Sequence, residues 1–134
     1  MFAPELQIMA DYKSQPTEAQ LEILQLLWQH QPCTVRFLHE KISEQRELGY
    51  TTILKQVQRM QDDGLLKRSK GPGKSYVYEA AEPAAHTRDK VLNRVVKNAF
   101  GDSVSEMMLH ALGNGEISPE EIEQIKALLN KIDR

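Results

Sequence analysis

One stretch, residues 49–80, limits what this chain can fold into more than any other: GYTTILKQVQRMQDDGLLKRSKGPGKSYVYEA. Ile53, Val57 and Met60 recur at helical spacing, joined by Leu54, so the first part predicts an amphipathic helix. Gly49 is an acceptable N-cap for it, and Gly64 closes it in the left-handed position. Leu65 and Leu66 then anchor a first strand to the core. Gly71-Pro72-Gly73 turns the chain, and Tyr76, Val77 and Tyr78 return it with period-two alternation. The helix face opposite the apolar stripe carries Thr51, Thr52, Lys55, Gln58 and Arg59. The hairpin carries Lys67, Arg68, Lys70 and Lys74. A helix that can enter a groove, beside a basic hairpin, is the outline of a winged helix-turn-helix, and it points to duplex DNA.

The preceding residues supply the rest of such a domain. Thr17 is a good N-cap, and Gln20 three residues later can complete a capping box. Leu21, Leu24, Leu27 and Trp28 follow at helical spacing, with Ile23 on the flank. Gln31-Pro32 ends this helix near His30. Cys33, Thr34 and Val35 make a short extended piece. Phe37, Leu38 and Ile42 mark a second helix over about 35–44, and Gln45 to Leu48 read as a polar turn. Residues 1–15 read as an N-terminal arm with a short turn at Leu6 to Met9, and 16–82 as the winged-helix DNA-binding domain.

Glu82-Pro83 is a composition break, and 83–134 is helical again. A helix over 84–99 carries Val91, Leu92, Val95, Val96 and Phe100, and stops at Gly101. Ser103 and Glu106 outline a second capping box for a short helix with Val104, Met107, Met108, Ala111 and Leu112. Gly113-Asn114-Gly115 breaks it. Ser118-Pro119-Glu120-Glu121 gives an N-cap, a proline at the first helical position and acids on the helix dipole. Ile122, Ile125, Leu128, Leu129 and Ile132 form the last stripe. Three short amphipathic helices cannot bury all these stripes alone. A monomeric appendage folded back on the wing would cover some. A homodimer is the simpler solution, since palindromic DNA sites need twofold proteins. The fold class expected is therefore mainly α with a small β-hairpin: a winged helix-turn-helix domain followed by a helical dimerisation tail.

Composition agrees. Apolar residues make up 40% of the 134 and aromatics only 6%, so one compact core would be thin and added interface welcome. The net charge of −2 taken alone argues against nucleic acid, but its distribution does not. Residues 50–78 hold six cations against Asp62 and Asp63, while 101–134 hold seven acids against three cations. A local basic patch drives phosphate contacts while the acidic end is repelled, which orients a protein on DNA. The single cysteine, Cys33, allows no internal disulfide and fits a reducing compartment. No apolar run approaches the ~20 residues of a membrane span, and the N-terminus lacks the pattern of a signal peptide. Cytoplasm is the expected location, with no membrane insertion.

Arginine can grip guanine O6 and N7 in a fork, glutamine can pair with adenine, and threonine can meet a thymine methyl or a phosphate. We expect Thr51, Thr52 and Lys55 near bases and Arg59 on phosphate, with Tyr50 and Gln58 completing the helix face. Lys67, Arg68, Lys70 and Lys74 suit phosphates or the minor groove; as edge-strand charges they also block aggregation. Arg36 suits a backbone contact. Tyr76 and Tyr78 suit wing packing rather than base stacking. His30, His39, His86 and His110 show no i, i+4 pair, so no metal or other cofactor is expected, and Cys33 reads as a small buried apolar residue. There is no phosphate loop, GxSxG or HExxH, so no enzyme is expected. The rival reading is a winged helix used for protein–protein contact, and steep salt dependence of duplex binding separates the two.

The ordered set Thr17-Glu18-Ala19-Gln20 with Leu27-Trp28, Thr34-Val35-Arg36, Tyr50-Thr51-Thr52-Ile53-Leu54, Arg59-Met60 with Asp63-Gly64-Leu65, and Tyr76-Val77-Tyr78 resembles the penicillinase-repressor family of bacterial regulators. So do Phe100-Gly101-Asp102 and the run from Ile117 to Glu123. The likeness runs from about Pro16 to Ile132. It implies a winged-helix domain, a helical dimerisation tail, and repression of transcription on a DNA dyad, often with TACA/TGTA half-sites. In the antibiotic-resistance branch it also implies a membrane sensor peptidase as partner, which signals a cut at an Asn-Phe bond in the tail. Aligned through Ile117-Ser118, this chain has His110-Ala111 there, which weighs against induction by cleavage. The copper branch carries paired C-terminal cysteines, and this chain has none.

Overall fold

A computed structural model describes residues 15–133. The expected turn at Leu6 to Met9 lies outside the described residues. The elements run α1 (Glu18–His30), α2 (Val35–Ser43), α3 (Tyr50–Asp62), β1 (Leu66–Lys70), β2 (Tyr76–Ala80), α4 (Ala84–Ala99), α5 (Val104–Gly113) and α6 (Pro119–Ile132). This is the mainly α chain with one small hairpin that the sequence predicts.

Local chemistry explains most boundaries. Thr17 Oγ1 accepts the Gln20 N–H at 3.2 Å, and Gln20 Oε1 accepts the Thr17 N–H at 3.0 Å, so the predicted box opens α1. Thr34 caps α2 by accepting the Phe37 N–H at 3.1 Å. The α3 end is a complete Schellman motif. The Leu65 N–H donates to Met60 O at 2.8 Å and the Gly64 N–H to Gln61 O at 3.1 Å, with Gly64 at φ 82°. That left-handed residue lets the chain reverse directly from α3 into β1.

β1 and β2 pair antiparallel, with Leu66 opposite Ala80, Arg68 opposite Tyr78 and Lys70 opposite Tyr76. The connection is wider than Gly-Pro-Gly alone. It spans Gly71 to Ser75: the Gly71 N–H donates to Ser75 O, and both the Ser75 N–H and hydroxyl donate to Pro72 O, at 3.2 and 2.6 Å. A Cβ on Gly71 would stand 2.9 Å from Val77 Cγ1, so a side chain there would force its neighbours in the turn to shift. Cys33 adds a third, one-residue strand. It exchanges both backbone hydrogen bonds with Tyr78, at 3.0 and 2.7 Å. The extended piece at 33–35 was legible in the sequence, but this pairing was not.

Ile23, Leu24, Leu27, Cys33, Val35, Leu38, Ile42, Ile53, Val57, Met60, Leu66 and Tyr78 form one buried core joining α1, α2, α3 and the hairpin. The chain divides into two compact units between Val91 and Leu92, within α4 and beyond the expected boundary at 82/83. The first turns of α4 go with the winged unit because their side chains find partners there. Thr87 is buried, the Arg88 guanidinium lies 5.4 Å from the Trp28 ring centroid, and Lys90 Nζ stands 3.4 Å from both oxygens of the Glu82 carboxylate.

In the second unit, the α4–α5 corner closes on one carbonyl. The Phe100 and Asp102 N–H groups both donate to Val96 O, at 3.1 and 3.0 Å, and Val96 is buried. Ser103 accepts the Glu106 N–H at 3.1 Å, but only half of the predicted box forms; Ser103 Oγ lies 3.1 Å from Ser105 Oγ instead. At α6 both arms form, between Ser118 and Glu121. Neither α5 nor α6 buries a residue within the single chain.

Candidate nucleic-acid interface

The α2–turn–α3 unit is held by contacts that aim α3 outward. His39 Nε2 donates to the Leu48 carbonyl at 2.9 Å, and its ring meets the Tyr50 ring edge-on at 5.7 Å. Arg46 in the turn pairs with Glu22 of α1. Tyr50, predicted as a DNA-facing residue, thus has its ring engaged by His39 of α2 while remaining 45% exposed.

On α3 the division of faces is clean. Ile53, Val57 and Met60 are at most 1% exposed. Thr51, Thr52, Lys55, Gln58 and Arg59 are all exposed on the outer side, as predicted. Among the described residues, Lys55, Arg59, Lys67, Lys70 and Lys74 form no ion pair. Their charge is therefore available to an external anion. Arg36 differs: its Nε lies 3.4 Å from Glu40 Oε1, in a pair whose side chains are both well exposed. Such a surface pair is weak and exchanges readily for another partner.

The wing cations are not equivalent. Side chains alternate along a strand, so Leu66, Arg68 and Lys70 share a face with Ala80, Tyr78 and Tyr76. Leu66 and Tyr78 are buried in the core against the α3 stripe. Beyond them the same face continues, exposed, as Arg68, Lys70 and Tyr76. Lys67 points the other way, in register with Glu79. Of the two tyrosines, Tyr78 packs in the core as predicted, but Tyr76 is 43% exposed and carries the Arg68 guanidinium 4.1 Å from its ring centroid. The sequence reading missed this stack; an arginine two places from the cross-strand partner of a tyrosine was its only signal.

Cys33 is buried, and burial pushes its thiol up from the ordinary value. The group stays protonated and behaves as the small apolar residue predicted. Among the described residues no three His, Cys, Asp or Glu side chains stand together in a metal-holding group. No helix there is long and apolar enough to cross a membrane.

The predicted dimerisation residues sit mostly on open surface. Leu92, Val95, Val104, Met108, Leu112, Ile122, Leu128, Leu129 and Ile132 are exposed, whereas Met107 and Ile125 are half-buried and Val91 falls in the winged unit. Leu109, off the stripe read for α5, is also exposed, at 70%.

A core of three helices and a hairpin, with unpaired cations on α3 and the hairpin, defines a winged-helix regulator of the DNA-binding kind. The chain belongs to the penicillinase repressor family, whose model matches residues 16–131. It is similar to the methicillin resistance regulatory protein MecI of Staphylococcus aureus strain N315, at 24% identity over 119 residues, covering 86% of this chain and 93% of that one. It is also similar to the penicillinase repressor of Staphylococcus aureus, at 20% identity over 126 residues, covering 94% and 99%. Among solved structures it matches a single-site mutant of ZitR from Lactococcus lactis, at 20% identity and a TM-score of 0.44, over 87% of this chain and 73% of that one.

Proposed function

We propose that this protein represses transcription by binding a DNA dyad as a homodimer, with α3 in the major groove and the wing on the neighbouring backbone and minor groove. The observation that carries the reading is the exposed, unpaired set Lys55, Arg59, Lys70 and Lys74 beside Thr51, Thr52 and Gln58. Cations without internal carboxylate partners can replace the counterions condensed on a duplex, and that release drives binding. Thr51, Thr52 and Lys55 reach base edges, while Arg59, Lys67 and Arg36 hold phosphates. Membership of a repressor family supports the regulatory role.

The exposed apolar side chains of α5 and α6 support self-association, because contiguous apolar surface on a soluble chain is commonly an interface. Release of DNA then follows from weakening of the dimer. The test is selection of the full chain on random duplexes, followed by titration across salt. Enrichment of a palindrome and a log–log salt slope of roughly −0.9 per phosphate contacted are expected. Absence of duplex binding even at low salt would leave the winged helix as a protein-interaction module.

A further inference from the structure

We propose that Tyr76 positions Arg68 as the groove-reading side chain of the wing, so that this protein prefers narrow, A·T-rich minor groove beside each half-site. The inference rests on the DNA-binding reading above. Its starting point is the stack itself, with Arg68 Cζ 4.1 Å from the Tyr76 ring centroid. Core packing does not require this tyrosine, since Tyr78 fills the core from the same face and Tyr76 is 43% exposed. The guanidinium has no carboxylate partner among the described residues, and Glu79 sits on the opposite face of the ribbon.

Three physical consequences point the same way. A guanidinium lying on a ring keeps its N–H edge free to donate outward. The ring also restricts a side chain that otherwise loses much rotamer freedom on binding, so part of that loss is taken before DNA arrives. Finally, a guanidinium is more weakly hydrated than an ammonium, and it enters the enhanced negative potential of a narrow groove with less desolvation. Lys70 and Lys74, strongly hydrated point charges on the same hairpin, suit phosphates instead. Arg68 is the one arginine on the wing, and it lies on the face that continues from the α3 side of the core.

The experiment is duplex selection with the full chain and three variants, followed by titration on one selected dyad. The dyad's flanks are made of A·T, G·C or inosine–cytosine pairs; the last lacks the minor-groove amino group as A·T does. The unaltered protein should enrich an A·T run outside each half-site and bind A·T and inosine–cytosine flanks alike, above G·C. Tyr76→Leu should lower affinity for A·T flanks by about two- to fivefold, the equivalent of one exposed cation–π pair, and leave G·C flanks unchanged. Arg68→Lys should select the same half-site with unbiased flanks. Tyr76→Phe, which keeps the ring, should behave as the unaltered protein. Equal melting temperatures would exclude a merely structural cause. Unbiased flanks for the unaltered protein, or an A·T bias surviving in Arg68→Lys, overturns the proposal while leaving DNA binding intact. If no duplex is enriched at all, the parent reading fails and this one with it.

Discussion

Lys55 and Arg59 leave α3 on the side away from Ile53, Val57 and Met60, and among the described residues neither forms an ion pair that would have to be displaced. Lys55→Ala and Arg59→Ala should therefore each weaken duplex binding without lowering stability. A lost base contact costs ~1–3 kcal/mol and relaxes preference at one position, whereas a lost phosphate contact weakens all sequences alike and reduces the salt slope by about one. Titration of both variants at several salt concentrations reads the difference, and unchanged affinity for both removes α3 from the groove. On the inner face the response is opposite. Met60 has no exposed surface, so Met60→Ala should cost about 2–5 kcal/mol in chemical denaturation. Residue by residue, the inward and outward faces of α3 were legible because helical spacing sorts them. The ring contacts of Tyr50 and Tyr76 were not. Each depends on a ring meeting a side chain from another element, His39 or Arg68, and no local period encodes such a meeting.

The elements with a local stop or start signal are the ones that sequence reading delimits well. Thr17, Gly64 and Ser118 each act within four residues of themselves, so their capping geometry follows from spacing alone. The Cys33–Tyr78 bridge joins residues 45 apart in sequence and is invisible to the same reasoning. Gly64 gives the sharper test. Nothing stands within 4 Å of an added Cβ, so Gly64→Ala meets only the backbone penalty of φ 82°. That penalty is roughly 1–2 kcal/mol for an L-residue, and a correspondingly lowered denaturation midpoint should report it. In α6, the Ser118 N–H and then its hydroxyl hold the Glu121 carboxyl below the usual carboxylate range. A lowered folded-state value stabilises the helix at pH above the unfolded value, and the gain disappears as pH falls through the lowered value. Ser118→Ala should therefore move the Glu121 titration upward in a carboxyl NMR experiment, and α6 should fray at neutral pH more than in the unaltered chain. Alanine keeps the backbone N–H, so an unmoved titration would show that the Ser118 hydroxyl adds nothing to the hold on the carboxylate.

Across the whole molecule, charge and apolar surface are segregated. The surplus of cations lies in 50–78, and the surplus of acids in 101–134 together with the exposed apolar side chains of α5 and α6. On the proposed reading that tail meets another copy of itself rather than DNA, and its value to binding is indirect. Two winged units linked in one dimer meet their half-sites as a single event, because the second contact is made at the effective concentration set by the link, in the millimolar range for short linkers. Charging that surface should therefore abolish tight binding without altering a DNA-facing residue. Leu128 and Leu129 are the side chains to change, since both are exposed in the single chain, whereas half-buried Ile125 would confound folding with association. Leu128→Asp with Leu129→Asp should give a monomer by sedimentation, with an unchanged circular dichroism spectrum and a dyad affinity reduced toward that of one half-site. A fragment ending at Val91, where the winged unit closes, should show the same weak affinity. Fusing that fragment to an unrelated dimeriser should restore tight binding, which isolates linkage as the tail's contribution. Full-strength dyad binding by the lone fragment at equal concentration would show instead that the winged units suffice, and would place control of repression somewhere other than the tail.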